Sequence, residues 1–292
     1  MWRWRWPGTA GDSGYRQRKK QRMHIWGKIL GFLFGFMLSK NIFGALLGLW
    51  LGHLFDKGRK LDFDNLGVNP NDDITRQAAF FYTTFSVMGH IAKAKGQVTK
   101  HEIAFATAYM DKLGLSGELR QQAQDAFREG KMAGFPLKDR LRKFRQSCSN
   151  RHDLLLLFLE IQIQVAFADG GVDPEERKVL HQIAKMLGFS ARDLDKLLEM
   201  MSAESAFHQQ RSGQRRPGAG QDNQQQLANA YKLLGVSNKD SDREIKKAYK
   251  KLMAQHHPDK LVAKGLPPEM MEVAKQKTQD IQAAYDLISK QG

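Results

Sequence analysis

The chain has 292 residues, enough for about two domains of ordinary size with cores of their own. Its formal net charge is +15, but residues 1–22 hold seven Arg/Lys against one Asp, which leaves +9 on the remainder. This moderate excess suits nucleic acid, an anionic membrane or an acidic protein partner, whereas the single cysteine, Cys148, excludes an internal disulfide framework and fits a reducing compartment.

Residues 1–22 lack apolar periodicity and precede a second methionine, Met23, at which the apolar run begins. Met23 is therefore the expected start, and residues 1–22 a doubtful leader. Residues 25–55 are expected to form a transmembrane anchor. Between Ile29 and Leu51, thirteen residues are Leu, Ile or Phe, and as a helix the stretch is about 34 Å long against a bilayer core of about 30 Å. The transfer gain of those side chains, on the order of −6 kcal/mol, exceeds the roughly +3 kcal/mol for Lys40 at mid-span. The alternative is a buried hairpin of two short apolar helices broken at Ser39-Lys40-Asn41. Lys57, Arg59 and Lys60 follow the run, while after Met23 only Lys28 precedes it. The positive-inside rule then predicts a single-pass protein with a short N-terminus outside and its C-terminal bulk in the cytoplasm. Glycines recur at every fourth position, at Gly27, Gly31 and Gly35 and again at Gly44, Gly48 and Gly52. Lys40 lies in line with the second set. A small-residue face lets two helices approach closely, so Gly44, Gly48, Gly52 and Lys40 are expected to form a homodimer face that shelters the charge.

Residues 56–74 are polar and turn-rich, a tether. From residue 75 to 201 the pattern is helical and contains a repeat, in which GQVTKHEIAFATAYMDKLGLS from Gly96 aligns without a gap with GGVDPEERKVLHQIAKMLGFS from Gly170. Each copy reads as a helix stop at glycine, a turn, a helix, a Leu-Gly stop and a Ser N-cap, so the two should pack as one bundle. The preceding run LLLLFLEIQIQVAFA is interrupted by Glu160, Gln162 and Gln164 and reads as a buried core helix, not a second span. Residues 202–226 hold seven Gln with Gly, Ser and Arg and almost nothing to bury, which predicts a flexible linker.

Residues 227–292 read as a compact helical unit. Leu227, Ala230, Tyr231 and Leu234 share one face, closed by Gly235. Ser241 and Glu244 form a capping box for a helix that puts Ile245, Ala248, Tyr249 and Leu252 on its apolar face, with Arg243, Lys246, Lys247 and Lys250 clustered on the opposite one. That helix must stop before Pro258, at the sequence HHPDK. A last helix after Pro267-Pro268 lines up Ala274, Thr278, Ile281, Tyr285 and Ile288. The two amphipathic helices predict an antiparallel hairpin with His257, Pro258 and Asp259 exposed at its tip.

AYKLLGV, KKAYKKLMAQHHPDK and TQDIQAAYDLIS together resemble the J-domain of the DnaJ co-chaperone family over about 65 residues. The resemblance implies docking on a DnaK-type chaperone and stimulation of its ATP hydrolysis. His257, Pro258 and Asp259 would be the stimulating loop, and Arg243, Lys246, Lys247, Lys250 and Lys251 the face for an acidic surface. The long segment LVAKGLPPEMMEVAKQK departs from the usual short loop of the family. With the anchor and the C-terminal position of the J-domain, it resembles the membrane-anchored branch of the DnaJ-like proteins, which implies a bacterial inner-membrane location, self-association through the anchor and a link to envelope-stress signalling. The central repeat, with AFADGGVDPEE, resembles the TerB family of helical domains associated with tellurite resistance.

The fold expected is all-α: a transmembrane helix, a central TerB-like bundle with an internal repeat and a C-terminal J-domain hairpin. The alternative function is a metal-responsive stress sensor in which Asp169, Asp173 and Glu176 hold a hard cation, although their spacing is not that of an EF-hand and Lys95 stands where Asp169 would repeat. An acidic helix start explains the same residues. The basic helix shows no groove-reading pattern, so no nucleic acid is expected. The chain shows no phosphate loop, zinc spacing or nucleophile with a local base; no enzymatic activity, cofactor or metal site is expected.

Overall fold

The computed structural model describes residues 73–290, apart from 97, 99, 150, 169 and 212–218. The leader, the anchor with Lys40, Gly44, Gly48 and Gly52, nearly all of the tether, and Asp169 lie outside the described residues. Among the described residues every regular element is helical, and none of the helices is long and apolar enough to cross a membrane.

The central bundle is built from α1 (Asp73–Ala92), α2 (Lys100–Lys112), α3 (Gly117–Gly130), α4 (Leu137–Ser147), α5 (His152–Ala166), α6 (Pro174–Leu187) and α7 (Ala191–Arg211). Helix α5 is the run LLLLFLEIQIQVA. Twelve of its fifteen residues are buried, as an all-round apolar helix requires in a protein that surrounds it with others. Phe158 of α5 meets Phe144 of α4 and Phe80 of α1, with ring centroids 4.5 and 6.0 Å apart, and these rings anchor the core.

The repeat is structural. Gly96 and Gly170, at matching positions, hold φ of 94° and 93°, a left-handed conformation that side chains resist. Helices α2 and α6 follow, then α3 and α7. Glu102 and Glu176, also matched, are both buried at 1% exposure. Lys95, which breaks the repeat, lies 3.1 Å from Glu176 and 3.8 Å from Glu102. Lys95 thus lies within ion-pair distance of both carboxylates.

The C-terminal unit contains α8 (Ala219–Leu234), α9 (Asp242–His256), α10 (Pro258–Ala263), a 3-10 turn (Pro268–Met270) and α11 (Met271–Ser289). Helices α9 and α11 form the expected hairpin, with Tyr249 and Tyr285 stacked at 4.2 Å and Tyr249 donating to Gln282. Ser241 and Glu244 make the expected reciprocal cap. The short helix α10 was not expected; Pro258 opens it at the first position, where its missing N–H costs nothing.

The polar segment 202–226 differs from the flexible linker expected of it. Helix α7 runs on to Arg211 and α8 begins at Ala219, so most of the described part of this segment is helical. The reason is Phe207, 1% exposed, which enters the core of the C-terminal unit beside Ala230, Leu233, Ile245, Ile281 and Ile288. Glutamine-rich composition concealed one buried aromatic anchor. The central and C-terminal helices accordingly form one compact unit.

Candidate functional site

Helix α9 positions the site. Its capped start fixes the register, Ile245 faces the core, and the opposite side carries Arg243, Lys246, Lys247, Lys250 and Lys251, all exposed. None of these five cations is within ion-pair distance of an acid among the described residues. Adjacent like charges held without a counterion repel, so the face is poised for an anionic surface and costs little to hold because water solvates it.

The helix stops at His256, because the residue before a proline is driven out of the helical region. His257 is extended, with φ −61° and ψ 121°. His257 and Asp259 are exposed and Pro258 is half-buried. The structure therefore brings together the expected tripeptide and the expected basic face, on one helix and the turn that ends it.

Beneath this turn lies a set of charges that sequence patterns did not single out. His256, 1% exposed, points inward. Its Nδ1 is 3.0 Å from the Leu252 carbonyl, and its Nε2 is 3.0 and 3.2 Å from the two carboxylate oxygens of Glu160 on α5. A carbonyl and a carboxylate both accept, so each ring nitrogen donates and the ring is an imidazolium. Burial pushes the His256 pKa down, but the charge and hydrogen bond of Glu160 outweigh it and raise it above 6.5. Burial likewise opposes ionisation of Glu160, yet His256 and Lys277 together hold its carboxyl down to about 2. Lys277 of α11 lies 3.6 Å from Glu160 and donates to Glu204 of α7. Asp280, one turn on, faces His208 at 3.4 Å. Two cations meet two buried carboxylates here, the compensation that a buried charge demands. A cavity of about 290 Å³ opens along the same seam between α5, α7 and α11.

The long segment after the tripeptide is used to attach the two domains. Leu261, Leu266 and Met270 are fully buried. The Lys264 carbonyl accepts from Arg151 at 2.7 Å and from Arg76 at 3.4 Å, and the Lys264 ammonium pairs with Asp153. Gly265, at φ 104°, is where a Cβ would come 2.5 Å from the Arg76 side chain, so this contact needs glycine on both steric and conformational grounds.

The signals that could have found the buried set were present but weak. Glu160 interrupts an apolar run, and Lys277 sits inside the apolar stripe of the last helix.

Three family models match the chain: the co-chaperone DjlA transmembrane domain over residues 23–62, the tellurite resistance protein TerB over residues 82–199 and the DnaJ domain over residues 229–292. Among curated relatives, the co-chaperone protein DjlA of Photobacterium profundum is 54% identical over 276 residues, which cover 91% of this chain and 99% of that protein. The chain belongs to the DjlA co-chaperone family. The DjlA proteins of Vibrio parahaemolyticus and Yersinia pestis are 53% and 50% identical, each over 92% of this chain and 98% and 99% of their own. No solved structure matches.

The chain is thus a membrane-anchored J-domain co-chaperone with a TerB domain between anchor and J-domain. The metal-sensor alternative finds no support. Asp173 accepts from the Glu175 amide and Glu176 accepts from the Asp173 amide, so these acids cap α6, and Lys95 neutralises Glu176. Cys148 is a buried thiol that burial pushes up to about 12, chemically quiet and structural.

Proposed function

We propose that the chain acts as a non-catalytic regulator whose His257-Pro258-Asp259 turn stimulates ATP hydrolysis by a DnaK-type chaperone, with Arg243, Lys246, Lys247, Lys250 and Lys251 as the docking face. The observation that carries this reading is the turn with exposed His257 and Asp259 at the end of a helix whose five exposed cations lie on its solvent side, within the residues that match the DnaJ domain. Charges so placed steer an acidic partner to the surface and fix its orientation, while His257 and Asp259, both exposed, remain available for contact. The reading is tested by steady-state ATP turnover of a DnaK-type chaperone with the full chain in detergent. Wild type should accelerate turnover and His257→Gln should not; equal acceleration by both would remove the turn from the mechanism.

We further propose that one helix within residues 25–55 crosses the inner membrane, the C-terminal domains lying in the cytoplasm. Lys57, Arg59 and Lys60 after the apolar run support this orientation, and the match to a transmembrane-domain model starting at residue 23 supports the anchor. The face with Gly44, Gly48, Gly52 and Lys40 would pair two copies. In a membrane-association reporter carrying residues 23–60, Gly48→Leu should lower association by steric blockade; undiminished association would move the interface elsewhere.

A further inference from the structure

The His257-Pro258-Asp259 turn is gripped on both sides by one helix of the TerB domain. Before the turn, the His256 imidazolium is fixed at two points, to Leu252 within α9 and to Glu160 of α5. After the turn, Lys264 pairs with Asp153 of α5, and its carbonyl accepts from Arg151 at the cap of α5. Asp153 and Glu160 are seven residues apart on α5, two turns, and so share one face about 10 Å apart along the axis. The backbone between the two grips is short and stiff. Pro258 restricts His257, and α10 begins at once and ends one residue before Lys264. None of this covers the site, since His257, Asp259 and the five cations of α9 stay exposed.

We infer that α5 of the TerB domain is a positioning element for the stimulating turn: Glu160, acting through His256, and Asp153, acting through Lys264, set the direction in which His257, Pro258 and Asp259 are presented to the partner chaperone. This rests on the stimulation reading above. Packing alone does not require the arrangement. An apolar pair at Glu160 and His256 would stabilise the seam as well as a buried ion pair does, and often better. What the ions add is direction, because a two-point hydrogen-bonded ring holds its backbone in one orientation where an apolar side chain could settle in several. The basic face, borne on the opposite side of α9, does not depend on either grip. Orientation and affinity should therefore be separable.

The test is ATP turnover of a DnaK-type chaperone titrated with the full chain in detergent, giving a maximal rate and a half-saturating concentration, with circular dichroism on each variant. Glu160→Gln should lower the maximal stimulated rate about tenfold, within the roughly hundredfold that misplacement of a reacting constellation can cost, and leave half-saturation within about twofold of wild type. Asp153→Asn, at a partly exposed pair that the fold tolerates losing, should lower the maximal rate in the same direction by about twofold. If Glu160→Gln does not fold, Glu160→Gln with His256→Gln leaves no stranded cation and should show the same loss of maximal rate. A wild-type maximal rate in Asp153→Asn and in whichever Glu160 variant folds would overturn the inference, as would a change in half-saturation alone, which reports only a smaller folded fraction. His257→Gln separates this from the reading beneath it: if wild type itself gives no stimulation that His257→Gln abolishes, the stimulation reading fails and the positioning role falls with it.

Discussion

His256 and His257 are neighbours in the chain and opposites in their surroundings. One is 1% exposed, charged and held by a carboxylate 96 residues away; the other faces water at the tip of a hairpin. The same contrast runs through the whole J-domain. On the solvent side of α9 five exposed cations lie outside ion-pair distance of any acid among the described residues, where desolvation has yet to be met and each charge contributes almost nothing to stability. On the inner side, His256 and Lys277 are buried against Glu160 and Glu204, and removal of any one weakens the compensation of the rest. The lesson is that charges in one small domain divide into those that serve a partner and those that serve the fold, and burial tells them apart.

If the division is right, stability and activity should respond to different residues. The largest loss of stability should come from Lys277→Ala, which strands Glu204 and leaves Glu160 with His256 alone; about 3–5 kcal/mol is expected, read as a fall in denaturation midpoint. A cost below about 1 kcal/mol would mean that the seam is wet and the contrast overstated.

A smaller effect, spread over pH, should follow from the shifted groups. Glu160 titrates below its ordinary 4.5, so its contribution is full above that value and is lost as pH falls toward 2. His256 titrates above its ordinary 6.5, so its contribution is full below 6.5 and is lost as pH rises through its elevated folded value. The difference in melting temperature between wild type and the Glu160→Gln, His256→Gln double variant should therefore be greatest between pH 4.5 and 6.5. A flat difference profile would show that neither group is linked to folding.

Least affected in stability should be Lys246→Glu with Lys250→Glu, within about 0.5 kcal/mol of wild type. Its effect belongs to the other column: chaperone docking should weaken most at low ionic strength, because exposed charges act over a Debye length of about 10 Å at 0.1 M salt. A docking defect indifferent to salt would point to misfolding.

Much of this was legible in the sequence because it is local. The apolar stripe of Ile245, Ala248, Tyr249 and Leu252, the Ser241–Glu244 cap and the proline stop each depend on residues within a few turns, and the structure reproduces them. The repeat was legible for the same reason, since a glycine and a Leu-Gly stop mark helix ends by backbone geometry alone. What escaped depends on partners far along the chain. Glu160 reads as a flaw in an apolar run until His256 and Lys277 are seen beside it, and Phe207 is a lone aromatic in a polar stretch until the J-domain core closes around it. Composition averages over such residues; packing selects them.

The adjacent histidines offer the most direct test. In the full chain, thermal unfolding and stimulated ATP turnover of a DnaK-type chaperone should be measured side by side for His257→Gln and His256→Ala. The account predicts that His257→Gln melts with wild type and stimulates nothing, while His256→Ala melts lower, by about 10 °C for a loss near 3 kcal/mol. If His257→Gln instead lowers the melting temperature as much as His256→Ala, or retains stimulation, the tip is part of the fold and not the surface that serves the chaperone.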